Sequence, residues 1–216
     1  LRHRVPVFNL LLYSGTLVFS LSALAAIINY AAAAGIRFML SLYLQYIRGY
    51  DASHAGLILI TQAVVQSCFS LIAGWLTQRF DSSRMATTGM AVIVVGIGGL
   101  IFLDADTPVI FLLGMLALLG IGFGIFSSPN TNVIMGSVDK KDYSAASATT
   151  GTRRQVGQAI SMGIAGMAIS FHMGNNAITP ELHPQFLDSM RTTFIIFILL
   201  CSIGVYASSA RVKKGT

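Results

Sequence analysis

The run VIFLLGMLALLGIGFGIFSSPNTNVIM, Val109 to Met135, contains no charged residue. The hydrocarbon core of a bilayer is about 30 Å thick and a helix rises about 1.5 Å per residue, so about 20 mostly apolar residues cross it. Working outward, five more stretches meet that requirement: Val18 to Leu44, Ala55 to Leu76, Met85 to Leu103, Ala145 to Phe171 and Met190 to Ala210. Only 10% of the 216 residues are charged, against about 25% in soluble domains, and mean hydropathy is +0.72. The pattern predicts an all-α membrane protein with six transmembrane helices: an interfacial segment 1–17, a bundle 18–210 and a tail 211–216.

Orientation follows from Lys and Arg, because short basic loops stay in the cytoplasm. Arg2 and Arg4 precede span one, Arg79 and Arg84 join spans two and three, Lys140 and Lys141 join four and five, and Arg211, Lys213 and Lys214 follow span six. The opposite face holds only Arg48 and Arg191. Both ends are therefore expected in the cytoplasm, with the bundle in the plasma (inner) membrane. The net charge of +6 is then a topology signal. Nucleic-acid binding would need those charges gathered on one soluble surface. The chain opens on Leu1 with a basic segment and no signal peptide, which suggests the back part of something longer.

Polar residues are unevenly shared among the spans. Span one carries Asn29, Tyr30 and Arg37; span two Gln62, Gln66 and Ser70; span four Ser127, Ser128, Asn130, Thr131 and Asn132; span five Arg153, Arg154, Gln155, Gln158 and Ser161. Amides and charges in hydrocarbon are costly unless they face protein or water. Four helices are accordingly expected to line a wet interior, while spans three and six face lipid. The phases agree, since Gln62, Gln66 and Ser70, and likewise Arg154, Gln158 and Ser161, recur at helical spacing on one face. Hydrogen bonding between helices is the alternative role for any single Gln or Ser.

A shift of 93 residues places Tyr50, Ala52, Ala55 and Gln62 on Tyr143, Ala145, Ala148 and Gln155. Three spans per copy would force the second copy to enter from the other side, so a 3+3 inverted repeat is expected. Cys68 and Cys201 fall in different spans without ligand spacing and read as small buried thiols. His172, Glu181, His183 and Asp188 match no metal-ligand pattern. Enzyme chemistry is not expected: no Ser with a nearby His, no H-E-x-x-H and no carboxylate dyad lies within the spans. The reading includes no cofactor and no metal.

Between spans two and three stands Gly74-Trp75-Leu76-Thr77-Gln78-Arg79-Phe80-Asp81-Ser82-Ser83-Arg84. It resembles the major facilitator superfamily signature G-x-L-x-D-R-x-G-R-R through Gly74, Leu76, Arg79 and Arg84; Gln78 stands where the family has Asp and Asp81 where it has Gly. Gly120-Ile121-Gly122-Phe123-Gly124, Ser128-Pro129-Asn130 and Gly151 to Gln158 are similar to the fourth and fifth helices of a carboxyl-terminal half. Leu42 to Gln45 and Gly49 to Gly56 are similar to the first outward loop of fourteen-span drug:proton antiporters. The resemblance implies half of a major facilitator fold, with the first, second, fourth and fifth helices around a central cavity and alternating access by rocking of two bundles.

Cavity candidates are thus Asn29, Tyr30, Arg37, Gln62, Gln66, Asn130, Arg154 and Gln158, with Tyr43 and Phe126 as further aromatic contacts and Gly74, Arg79 and Arg84 in the gating loop. Arg37 either meets an anionic group or a carbonyl in the cavity, or snorkels toward the headgroups. Arg153 is expected to tether the loop between spans four and five, and Pro129 to bend span four. No Asp or Glu lies in any predicted span, so a proton-coupling group is assigned to the missing amino-terminal half. The resemblance implies a secondary active transporter half that exports small apolar or amphipathic compounds. The alternative is a self-associating half-size membrane protein. The partners expected are the lipid bilayer, a small-molecule substrate, and the missing half or a second copy.

Overall fold

The computed structural model describes residues 17–77, 79–136, 143–174 and 176–212, and every regular element among them is helical. Helix α1 runs Leu17–Leu42 and closes in a π turn, Tyr43–Ile47. Then follow α2 Ala52–Leu76, α3 Ser82–Leu100, α4 Val109–Gly136, α5 Tyr143–Met173 and α6 His183–Val212, the last preceded by a 3-10 turn Pro180–Leu182. Five of these are long and apolar enough to cross a membrane, and α3 is a shorter apolar helix. Its 19 residues would rise about 28 Å, close to the hydrocarbon thickness. The interfacial segment before Leu17, Lys140 and Lys141, Gln78 and Lys213 onward lie outside the described residues.

Local chemistry sets the helix ends. Asp51 is extended and its side chain accepts from the His54 N–H at 3.3 Å, so α2 starts at Ala52 rather than at Ala55. The last helix starts at His183, well before the predicted Met190, because its first turns bury Phe186 and Leu187 and so gain packing that an apolar-length criterion misses. Helix α4 passes through Pro129 without interruption. Gly49 and Gly174 have φ of 67° and 62°, the left-handed conformation that lets the chain turn out of α1 and α5 at the same end of the bundle.

Packing follows a two-fold rule. Helix α1 packs on α5 and α6, α4 packs on α2 and α3, α3 packs on α6, and α1 meets α4 along a shorter seam. Exchanging the first three helices for the last three leaves these pairings unchanged; the departure is that α5 packs well on α6 while α2 lacks a comparable contact with α3. The glycines carry the same relation. A Cβ on Gly157 of α5 would lie 2.7 Å from the Ile27 carbonyl oxygen and 3.2 Å from the Ala31 nitrogen on α1. Under the 93-residue shift Ile27 and Ala31 become Gly120 and Gly124. Cβ atoms there would lie 2.7 and 2.8 Å from the Gln62 and Gln66 carbonyl oxygens of α2. Both helix pairs therefore approach backbone to backbone, as small residues allow.

The core lies among α1, α3, α4 and α6, where Ile36, Met39, Met90, Ile93, Leu119, Phe123, Phe194 and Phe197 are fully buried. Helix α2 buries little, with Leu57, Ile60, Val64, Leu71 and Trp75 exposed, and α5 exposes Val156, Ile160, Met167 and Phe171. This corrects the expectation for the cysteines: Cys201 is buried, but Cys68 is exposed because its face of α2 points away from the rest of the chain.

The two basic residues that break the charge alternation both have local partners. Arg48 donates to the Ala105 carbonyl. Arg191 pairs with Asp104 at 2.6 Å and with Asp188 at 3.2 Å. With the Tyr43 hydroxyl donating to the Asp104 carbonyl at 2.7 Å, they fasten the 104–108 loop to the ends of α1 and α6.

Candidate functional site

Helices α1, α2, α4 and α5 each carry polar or aromatic side chains near their midpoints, and packing turns these toward one another. A cavity of about 250 Å³ is lined by Asn29, Tyr30, Ala33 and Arg37 of α1, Gln66 of α2, Phe123 and Ser127 of α4, and Arg154 and Gln158 of α5. Among the described residues, none of α3 or α6 lines it. Tyr30, Phe123 and Gln158 stand at or beside the midpoints of their helices, which sets the cavity near the middle of the bundle. Asn29 is 4% exposed and its Nδ2 has no hydrogen-bond partner among the described residues. A buried donor without a partner is costly, and a ligand or water in the cavity would relieve it.

A second, larger space of about 730 Å³, a largely open groove, adjoins the first. Ala34, Arg37, Phe38 and Ser41 of α1, Leu59 of α2 and Gln155, Gln158, Ala159 and Met162 of α5 line it. Arg37 and Gln158 belong to both walls, so they stand where the two spaces meet. Arg37 thus faces the cavities at the α1–α5 seam. Among the described residues no carboxylate pairs with Arg37 or Arg154.

Six of the eight residues proposed from sequence meet in the smaller cavity: Asn29, Tyr30, Arg37, Gln66, Arg154 and Gln158. Gln62 is 1% exposed with both amide atoms unpartnered among the described residues, and it lines neither cavity. The Asn130 side chain lies outside the described residues. Tyr43 and Phe126 are core residues rather than cavity aromatics, Tyr43 being held by its bond to Asp104. Phe123 was missed, and Ser127 was read only as one of the polar residues of span four and not as a cavity candidate. The spacing of Phe123, Ser127 and Asn130 on one face of α4 was the signal, masked by the uniform apolarity of that run. Arg153 lies off the cavity wall.

At the basic end, Gly74 closes α2 against α4, where a Cβ would lie 3.3 Å from Ser128 Oγ. The Arg79 guanidinium sits 4.9 Å from the centre of the exposed Trp75 ring, a cation–π distance. Arg84 Nε lies 4.0 Å from Asp81 Oδ2. Arg79 and Arg84 also line a cavity of about 540 Å³ with Phe69, Leu76 and Ile125. The turn is thus braced by its own side chains, and Asp81 supplies a local anion where the signature has glycine.

Comparison with known proteins agrees with this geometry. The chain is 25% identical over 194 residues to the uncharacterized transporter YebQ of Escherichia coli K12, covering 90% of this chain and 41% of that protein. It is 24% identical over 185 residues to the multidrug efflux pump LfrA of Mycolicibacterium smegmatis, covering 85% and 36%. It is 25% identical over 120 residues to the riboflavin transporter RibZ of Clostridioides difficile, covering 56% and 26%. The chain therefore spans less than half the length of these relatives. Its fold matches tetrameric PepTSo2 with a TM-score of 0.74 at 18% identity, over 92% of this chain and 41% of that one. A bacterial homologue of the human drug peptide transporters PepT1 and PepT2 matches at 0.73 with 16% identity, over 90% and 42%. The family model of the Major Facilitator Superfamily matches residues 22–213, nearly the whole bundle, and the chain belongs to that superfamily of membrane transporters.

Proposed function

We propose that the chain is the carboxyl-terminal half of a secondary active transporter, of the fourteen-span drug:proton antiporter type, that exports small apolar or amphipathic compounds by alternating access. The observation that carries this reading is the central cavity, which draws polar side chains from α1, α2, α4 and α5 and, among the described residues, none from α3 or α6. The exposed apolar faces of α2 and α5 would be covered by the other half, and rocking of the two bundles would open the cavity to each side in turn. Multidrug export by relatives such as LfrA supports the substrate class. Both ends and the Arg79–Arg84 turn lie on the cytoplasmic side of the plasma membrane in this reading, as the basic residues direct.

The test is aqueous thiol access in the full-length protein. Cys68, exposed, is first replaced by Ser. A membrane-impermeant maleimide is expected to label Gln158→Cys and Ser127→Cys and to leave Ile203→Cys on the outer face of α6 unlabelled. Labelling at 203 with none at 127 or 158 would overturn the transporter reading. The same apolar faces would also suit a second copy of the chain, the other arrangement that buries them.

A further inference from the structure

We propose that the paired cavities bind an amphipathic organic anion, its carboxylate held between Arg37 and Arg154 and its apolar body lodged against Phe38, Leu59 and Met162. The proposal rests on the transporter reading and narrows its substrate class. Two guanidinium groups line the 250 Å³ cavity, and neither has a carboxylate partner among the described residues. A cation within a span is expensive and is kept where it meets an opposite charge. Asn29 adds a buried amide N–H donor with no partner among the described residues, and Tyr30 adds a hydroxyl. Every charged group on this wall is positive, and an oxyanion is the ligand that satisfies guanidinium and amide donors together.

The larger space gives the second half of the specificity. Its wall includes Phe38, Leu59 and Met162, and it meets the polar cavity at Arg37 and Gln158. Arg37 therefore stands at the join, where a charged head passes into an apolar body. A solute with a carboxylate at one end and an aromatic or aliphatic body matches this division, with few polar groups orienting a ligand in a mostly apolar space. An organic cation would bring its charge against two guanidinium groups with no carboxylate in these walls to offset the repulsion.

Calorimetry on the full-length protein in nanodiscs, with three probes of one shape, tests this: 1-naphthoate, 1-naphthamide and 1-naphthylmethylammonium. The naphthoate is expected to bind at least about tenfold more tightly than the amide, as charge-assisted hydrogen bonds allow. Arg37→Gln and Arg154→Gln should each remove about tenfold of that affinity while moving the amide by less than about threefold, and the Lys variants should recover part of it. Arg154 is exposed in this half, so its variants test the site even if Arg37→Gln fails to fold. Equal binding of the amide or the ammonium probe would overturn the proposal. So would a uniform loss of all three probes in the Gln variants, which would assign the arginines to a carboxylate elsewhere in the protein. Either result, with residues 127 and 158 still labelled from water, would leave the transporter reading standing.

Discussion

At Gly157 a single hydrogen in place of a side chain lets α5 lie on α1, because any Cβ there would sit 2.7 Å from a backbone oxygen that cannot rotate away. Gly157→Val is expected to lower stability by about 1–3 kcal/mol, the range for overpacking, read as a drop in the thermal unfolding midpoint in detergent. Gly163→Ala, where nothing lies within 4 Å, should not lower the midpoint and is expected to raise it slightly, since alanine is the better helix former. Asp51 shows a different residue-scale effect. Hydrogen bonding from His54, side chain and backbone, holds its exposed carboxyl below the ordinary aspartate range. Its folded value being depressed, the contribution is complete above the unfolded value and fades as pH falls through the folded one. The gap in unfolding midpoint between wild type and Asp51→Asn should therefore narrow on acidification through the carboxylate range. Neither effect is written in composition: glycine is frequent in spanning helices, and only the neighbour across the seam makes Gly157 different from Gly163.

Helix ends are where the elements are tied together. Asp104 receives Tyr43 on its carbonyl and Arg191 on its carboxylate, so one short loop joins α1, α3, α4 and α6. The Tyr43 bond is formed by a residue only 1% exposed, and Tyr43→Phe should cost about 0.5–1.5 kcal/mol. The Arg191–Asp104 pair is partly solvent-exposed at 38% and 65%, so a double-mutant cycle with Arg191→Gln and Asp104→Asn should give a coupling of only about 0.2–1 kcal/mol. From sequence these arginines read as exceptions to the charge alternation, and their partners became visible only once the loop was folded against them. The elements themselves were largely legible, because a run of about 20 apolar residues has few alternatives to a spanning helix. The boundaries missed at Ala52 and His183 depended on a cap and on burial, which hydropathy does not measure.

For the whole molecule, the unequal burial of the helices is the telling property. Helices α2 and α5 expose large apolar side chains, whereas α1 is enclosed by α5 and α6. On the proposed half-transporter reading, the chain expressed beside the other half as a separate polypeptide is expected to copurify in a one-to-one complex, measured by light scattering in detergent. Recovery as a homodimer that excludes the other half would favour the self-associating reading.

The sequence by itself determined the apolar lengths, the basic alternation and the concentration of mid-helix amides and cations in four of six helices. Those follow from chain composition against a bilayer, where each segment meets the same solvent whatever its neighbours do. Only the tertiary structure decided which of those polar residues share a cavity. Tyr43 and Gln62 looked as suitable as Tyr30 and Gln66, yet Tyr43 bonds to a loop and Gln62 lines neither cavity. The rotation of each helix about its axis makes that choice. It is set by where the backbones of α1 and α5, and of α2 and α4, come closest at their glycines.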